Sequence, residues 1–200
     1  MENTIILLGM SGIGKSYHAK KLKRLHGYKL FSIDDMIATA LHKGDVHTVA
    51  TFLGAPYEEE YGKRSSTYLK LEEEFTREAL MYASAHPNEK IVIDTTGSVV
   101  HLSTETLVHI KSFKNSIFLD TKRTLIDAMI SLYLRQPKPV IWGQFAKLFK
   151  NKKEYKTTVK ELYPKLLYMR RRKYMSYSRI TIDFYKHKRK NFDLVAFLTK

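Results

Sequence analysis

The chain has 200 residues, 44% of them hydrophobic and 28% charged, enough apolar material for a real core and too much for wholesale disorder. It has no cysteine, so disulfides and thiolate chemistry are excluded, and no apolar run of the roughly 18 residues a membrane span needs. A formal net charge of +15 implies attraction to anions, whether nucleotide phosphates, an acidic metabolite, nucleic acid or acidic lipid.

Met1-Glu2-Asn3-Thr4 carries an acid and no basic n-region, so the apolar run that follows reads as a core strand and no signal peptide; the length predicts a single domain over 1–200, and the absence of cysteine fits a cytoplasmic protein. Ile5-Ile6-Leu7-Leu8 is apolar at consecutive positions, as a strand buried on both faces should be. A helix is expected over Lys15–Leu25, closed by Gly27, then a second strand, Leu30-Phe31-Ser32-Ile33, ending at Asp34-Asp35. Met36–Leu41 begins another helix. The stretch Tyr57–Ala85 reads as mostly helical, with Leu69, Leu71, Phe75 and Leu80 available for a core face. Ile91-Val92-Ile93 is the third strand and runs into Asp94-Thr95-Thr96-Gly97. The fourth is Ser116-Ile117-Phe118-Leu119, followed by a helix over Thr124–Leu134. Ile180-Thr181-Ile182 is the fifth, and a short helix over Asp193–Leu198 ends the chain. Strands alternating with helices predict an α/β fold with a five-stranded parallel sheet.

One stretch breaks this rhythm. Pro137 and Pro139 interrupt a helix, and from Lys138 to Lys173 twelve Lys/Arg face two Glu, a local net of +10. A solvated helix face usually carries both signs, so the asymmetry calls for a role. A basic lid over about 135–160 is one, with Arg135 as its first candidate cation and Arg170, Arg171 and Arg172 as the second group. A nucleic-acid surface over 138–173, with interleaved Tyr163, Tyr168, Tyr174 and Tyr177, is the other. No pair of histidines has His-x-x-x-His spacing, which gives no support for zinc.

The strongest motif is Gly9-Met10-Ser11-Gly12-Ile13-Gly14-Lys15-Ser16, which satisfies G-x-x-x-x-G-K-[ST] at every fixed position between a strand and a helix. Glycines let backbone N–H groups wrap phosphate oxygens, and the helix N-terminus adds its positive dipole end. Gly9 to Ser16, with Tyr17 directly after, is therefore the expected ATP site. Lys15 neutralises the β- and γ-phosphates, and Ser16 is a ligand for Mg²⁺. Ligands of open α/β sheets sit at the carboxyl edge, which brings in the acids that end the strands. Asp34, expected on a strand beside the loop-bearing one, is the candidate base for an acceptor hydroxyl, and Asp35 the candidate helix cap. Asp94 is placed as the carboxylate that steadies Mg²⁺.

These residues resemble the shikimate kinase family, among the nucleoside-monophosphate-kinase-like P-loop kinases. The resemblance runs through Gly9–Ser16, Asp34, Tyr68-Leu69-Lys70-Leu71-Glu72, Gly97, Arg135-Gln136-Pro137 and Tyr163–Asp183. It implies ATP, Mg²⁺ and phosphorylation of a hydroxyl on a small metabolite, with Asp34, Thr95, Thr96 and Gly97 at the substrate. Asp183–Asn191 would be the adenine-contacting loop, with Asn191 on the nucleotide; no obligate protein partner is implied. The chain departs from the family at Leu69 and near Met175, where arginines that fork a shikimate carboxylate are expected, and at Met129 and Ser32. Asp94-Thr95-Thr96 is closer to the strand end of nucleotide kinases. A nucleotide, nucleoside or RNA-end kinase and a non-catalytic ATP-binding protein are the alternatives to a metabolite kinase.

Overall fold

A computed structural model describes residues 3–42, 46–121, 125–135 and 139–199. Thr124, Gln136, Pro137 and Lys138, which enter the predicted helix start and lid, lie outside the described residues.

Five strands, β1 (Thr4–Leu8), β2 (Lys29–Ser32), β3 (Ile91–Asp94), β4 (Asn115–Leu119) and β5 (Ile180–Ile182), form one sheet in the order β2-β3-β1-β4-β5. Every pairing is parallel. The α/β class and the five-stranded parallel sheet are as the sequence predicts. The neighbour of β1 is not: β3 lies between β1 and β2, with Leu7 and Ser32 both in register with Asp94.

Side chains alternate across a strand, so β1 feeds two cores. Ile6 and Leu8 join Ile33, Ile37 and the apolar residues of the helices on one face. Ile5 and Leu7 join Ile13, Ala19 and Leu22 on the other. Each such side chain, fully removed from water, contributes roughly 1.5–3 kcal/mol.

The helices are α1 (Lys15–His26), α2 (Ile33–Ala40), α3 (Val46–Leu53), α4 (Tyr61–Ala85), α5 (Thr104–Ser112), α6 (Ile126–Arg135), α7 (Tyr155–Tyr177), α8 (Phe184–His187) and α9 (Leu194–Leu198). None of the helices among the described residues is long and apolar enough to cross a membrane. The α2 helix starts earlier than predicted. Ser32 takes the N-cap position, without a side-chain bond, and Asp34 and Asp35 both fall in the first helical turn, so Asp35 is not the cap. Acids there are favourable to the helix dipole, which explains an acidic pair on either reading.

The core face of α4 also differs from the prediction. Tyr68, Glu72 and Thr76 are buried at helical spacing, with Ala79, Leu80 and Ala83, whereas Leu69, Leu71 and Phe75 are only partly buried. Leu80 is buried as predicted and the other three pack against the core from its margin, while the centre of the stripe includes polar side chains that apolar periodicity alone does not reveal.

The largest correction concerns the predicted lid. Val140, Ile141, Trp142 and Phe149 are buried within the main core. Trp142, 1% exposed, meets Phe149 edge-on at 4.5 Å between centroids and packs on Tyr133 and Tyr163. The Tyr61 hydroxyl donates to the Val140 carbonyl at 2.9 Å and accepts from the Trp142 amide at 3.0 Å. Residues 140–149 are a strap pinned to the core at its two ends, by Val140, Ile141 and Trp142 and by Phe149, with none of Gly143–Leu148 buried between them.

Candidate active site

The loop from Gly9 to Ser16 leaves the carboxyl end of β1 and turns directly into α1. Gly14 occupies the N-cap position with φ 110°, a left-handed conformation that residues with a Cβ rarely adopt. No acid lies in the first turn of α1, so the positive end of its dipole is left facing the loop, with Asp94 bonded to Ser16 beside it. Lys15 is buried, and its Nζ donates to the Gly9 carbonyl at 3.0 Å and the Met10 carbonyl at 3.3 Å. The ammonium is thus folded over the nest it would share with a phosphate.

A cavity of about 340 Å³ opens beside this loop. Ser11, Gly12, Gly14, Lys15, Ser16 and Tyr17 line it together with Lys20, Ser32, Asp34 and Asp35. Asp34 arrives there because α2 begins at the very end of β2, so its first turn projects over the sheet edge. Burial pushes the Asp34 carboxyl up to about 6, with Lys15 pulling down, Asp94 pushing up, and the Tyr68 hydroxyl donating at 3.4 Å. A carboxylate poised close to neutrality, next to a phosphate loop, suits acceptance of a hydroxyl proton.

Asp94 closes β3 and is buried. Desolvation raises its pKa, while Lys15 and a hydrogen bond from Ser16 lower it. Its Oδ1 has no hydrogen-bond partner among the described residues. A buried carboxylate oxygen without a donor, next to a hydroxyl, is the oxygen-only arrangement that suits Mg²⁺ sharing its remaining positions with phosphate and water. No group of three or more His, Asp or Glu among the described residues forms a metal cluster.

The segment after Asp94 is built differently from the substrate role expected of it. Thr95 is fully buried and donates to the Leu7 carbonyl at 2.7 Å, so its hydroxyl is committed to the sheet. Thr96 donates to the Glu72 carboxylate, to which Ser98 also donates at 2.6 Å. Neither threonine lines the cavity that holds Asp34. Both are scaffold, and the physical reason is that a buried turn at the sheet edge must satisfy its own polar groups. Gly97 does reach the site. A Cβ there would stand 3.0 Å from the Ser11 amide nitrogen, so the turn after β3 braces the phosphate loop from outside. The Tyr174 hydroxyl holds that turn, donating to the Gly97 carbonyl at 2.6 Å.

Glu72 is the residue that sequence reasoning undervalued. Fully buried one helical turn beyond Tyr68, it is raised to about 7 by desolvation, against the hydrogen bonds from Ser98 and Thr96 and the positive charge of Arg170. Its place in the Tyr68–Glu72 segment was the available signal. Of the three consecutive arginines only Arg170 goes inside, 4% exposed, its Nη2 donating to the Ile141 carbonyl at 2.6 Å. Arg171 forms a two-pronged pair with Asp120 at 2.8 and 2.6 Å, and Arg172 is exposed. Arg135 is exposed too, its Nε donating to the Ser131 carbonyl of its own helix, and the structure does not bring it to the loop.

On the other side of the loop, Ser11, Gly12 and Ile13 border a second, mostly apolar cavity of about 260 Å³. Met129 and Leu132 from α6 and Phe184 and Lys188 from the segment after β5 complete its walls. Asn191 is exposed on the turn before α9 and lines neither cavity, whereas Phe184 and Lys188 of the same segment line the apolar one.

Solved structures share this architecture. Shikimate kinase from Bacteroides thetaiotaomicron superposes with a TM-score of 0.60 at 16% identity, covering 94% of this chain and 89% of that one. Shikimate kinase from Aquifex aeolicus gives 0.56 at 18%, with 98% and 92% covered. Shikimate kinase from Acinetobacter baumannii, in complex with shikimate, gives 0.53 at 16%, with 98% and 87% covered. No protein-family model and no curated protein matches the sequence. The chain has the shikimate-kinase-like P-loop kinase fold.

Proposed function

We propose that this chain is an ATP-dependent kinase that phosphorylates a hydroxyl group of a small metabolite. The observation that carries the reading is a single cavity lined by the phosphate loop, its lysine and the carboxyl of Asp34, whose pKa is raised to about 6. The loop amides, the α1 N-terminus and Lys15 take up charge on the β- and γ-phosphates. Asp34 orients the acceptor hydroxyl and takes its proton as the oxygen attacks the γ-phosphorus. The bond from that phosphorus to the bridging oxygen breaks, and ADP leaves with the electron pair.

Ser16 and Asp94 are the residues that would hold Mg²⁺, which when bound neutralises charge on the phosphate oxygens. The likeness to shikimate kinases supports the kinase class. Leu69 lies on an outer groove with Leu102 and Ser103, and Met175 is exposed, so neither position offers a cation to a substrate carboxylate. We therefore assign the acceptor to hydroxylated metabolites in general rather than to shikimate. Four cations of the basic stretch are engaged within the chain, Lys165 with Glu161, Arg170 with Ile141, Arg171 with Asp120 and Lys173 with Val100, which favours this reading over a nucleic-acid surface.

The test is ADP release from MgATP with a panel of hydroxylated metabolites and nucleosides. Acceptor-dependent ADP formation is expected with at least one hydroxylated metabolite. Tight ATP binding with no turnover on any acceptor would instead make the chain a nucleotide-binding protein.

A further inference from the structure

We propose that Lys188 is a second phosphate-binding cation, which holds the phosphate nearest the nucleoside while Lys15 serves the far end. This rests on the nucleotide reading of the loop. A Cβ on Gly14 would stand 3.2 Å from the Lys188 ammonium, so that charge lies directly against the backbone where α1 begins. No carboxylate among the described residues forms an ion pair with it. The first turn of α1 has no acid, and the dipole end there is itself positive. Lys15 already has Asp34 and Asp94 for neighbours, whereas the Lys188 ammonium, on the other side of the loop, stands ready for an anion.

The two lysines approach from different sides. Lys15 lines the polar cavity with Asp34, whereas Lys188 lines the apolar cavity with Met129 and Phe184, the one suited to a nucleoside. Between the two stands the nest. A nucleoside polyphosphate laid across the loop would therefore meet Lys188 first and Lys15 last.

The seat of Lys188 is fixed. Asp183 caps α8 by accepting from the Tyr185 amide at 2.9 Å. The His187 ring bonds the Asp120 carbonyl at 3.0 Å, tying α8 to the end of β4. The Lys188 amide donates to the Phe184 carbonyl at 3.1 Å, and its ammonium lies 5.9 Å from the Phe184 ring centre. The local positive field is visible in its neighbours. His18 is lowered to about 4, by burial first and then by His187 and Lys188. Because the Lys188 side chain is exposed, replacing it leaves the core untouched.

The experiment is calorimetric titration of MgATP and MgADP into the wild-type chain, Lys188→Met and Lys188→Arg, with thermal midpoints as the fold control. Methionine keeps the stem and removes the charge; arginine keeps the charge. Lys188→Met should bind both nucleotides at least about tenfold more weakly, and Lys188→Arg should stay within about threefold of wild type. In turnover the Met variant should raise KM for ATP about tenfold with kcat within about threefold. Unchanged nucleotide affinity in Lys188→Met, or an equal loss in Lys188→Arg, would overturn the assignment while leaving the kinase reading intact. Failure of the wild-type chain to bind either nucleotide would sink that reading, and the role of Lys188 with it.

Discussion

Gly97 and Ser11 are in direct backbone contact: a Cβ added to Gly97 would meet the Ser11 amide nitrogen at 3.0 Å. The turn after β3 thereby sets the position of a loop it does not belong to. The obstacle is main chain, which cannot rotate away, so Gly97→Ala should displace the nest by a few tenths of an ångström. We expect MgATP affinity to fall about tenfold, since small misplacements of a binding loop are costly. The thermal midpoint should move little. Calorimetry and a melting curve check the two halves.

As the proposed base, Asp34 makes a pH prediction. Its carboxyl must be ionised to accept a proton, and burial places it at about 6. Activity, as kcat/KM for the acceptor, should therefore fall as pH drops through about 6. Asp34→Asn should remove that limb and lower kcat by about a hundredfold or more, with KM for ATP within about threefold. A pH–rate series on both proteins checks this; equal losses in ATP affinity and turnover would make Asp34 a structural residue.

Glu72 makes a stability prediction. Its folded pKa, about 7, lies above the ordinary value of 4.5, so the folded state favours the protonated form. The stabilisation is full below about 4.5 and is lost as pH rises through about 7. The difference in melting temperature between wild type and Glu72→Gln should therefore change between pH 5 and pH 8, wild type losing more stability than the variant as pH rises. Parallel curves would contradict it.

Trp142 tests the strap. With 1% exposure and three aromatic neighbours, Trp142→Ala should cost about 3–5 kcal/mol in urea unfolding. Deleting 140–149 should abolish folding rather than release futile ATP hydrolysis. A folded, active deletion would restore the lid interpretation of that segment.

Much of the fold was legible because the buried strands are continuous apolar runs: Ile5–Leu8, Ile91–Ile93 and Ser116–Leu119 all appear within a residue or so of their observed limits. The phosphate loop was legible because its chemistry fixes residue type at each spacing. Features that depend on long-range packing were not. Strand order cannot be read from local pattern, which is how β3 came between β1 and β2. The polar part of the α4 face is not legible in the sequence, because the groups that let Glu72 be buried, Thr96 and Ser98, lie 24 and 26 residues along the chain. The lysines of 147–160 concealed a core segment, since charge counts take no account of Trp142 and Phe149. Lys188 lies within the expected nucleotide segment Asp183–Asn191, but its proximity to Gly14 is visible only in three dimensions.

The central claim is that the Gly9–Ser16 nest grips the phosphate tail of a nucleoside triphosphate through Lys15. Calorimetric titration of MgATP into the wild-type chain and Lys15→Ala tests it most directly. Saturable binding to wild type is expected, with at least about a hundredfold loss in a variant that keeps its melting transition. Equal affinity in both proteins, or no binding to the wild-type chain, would contradict the account.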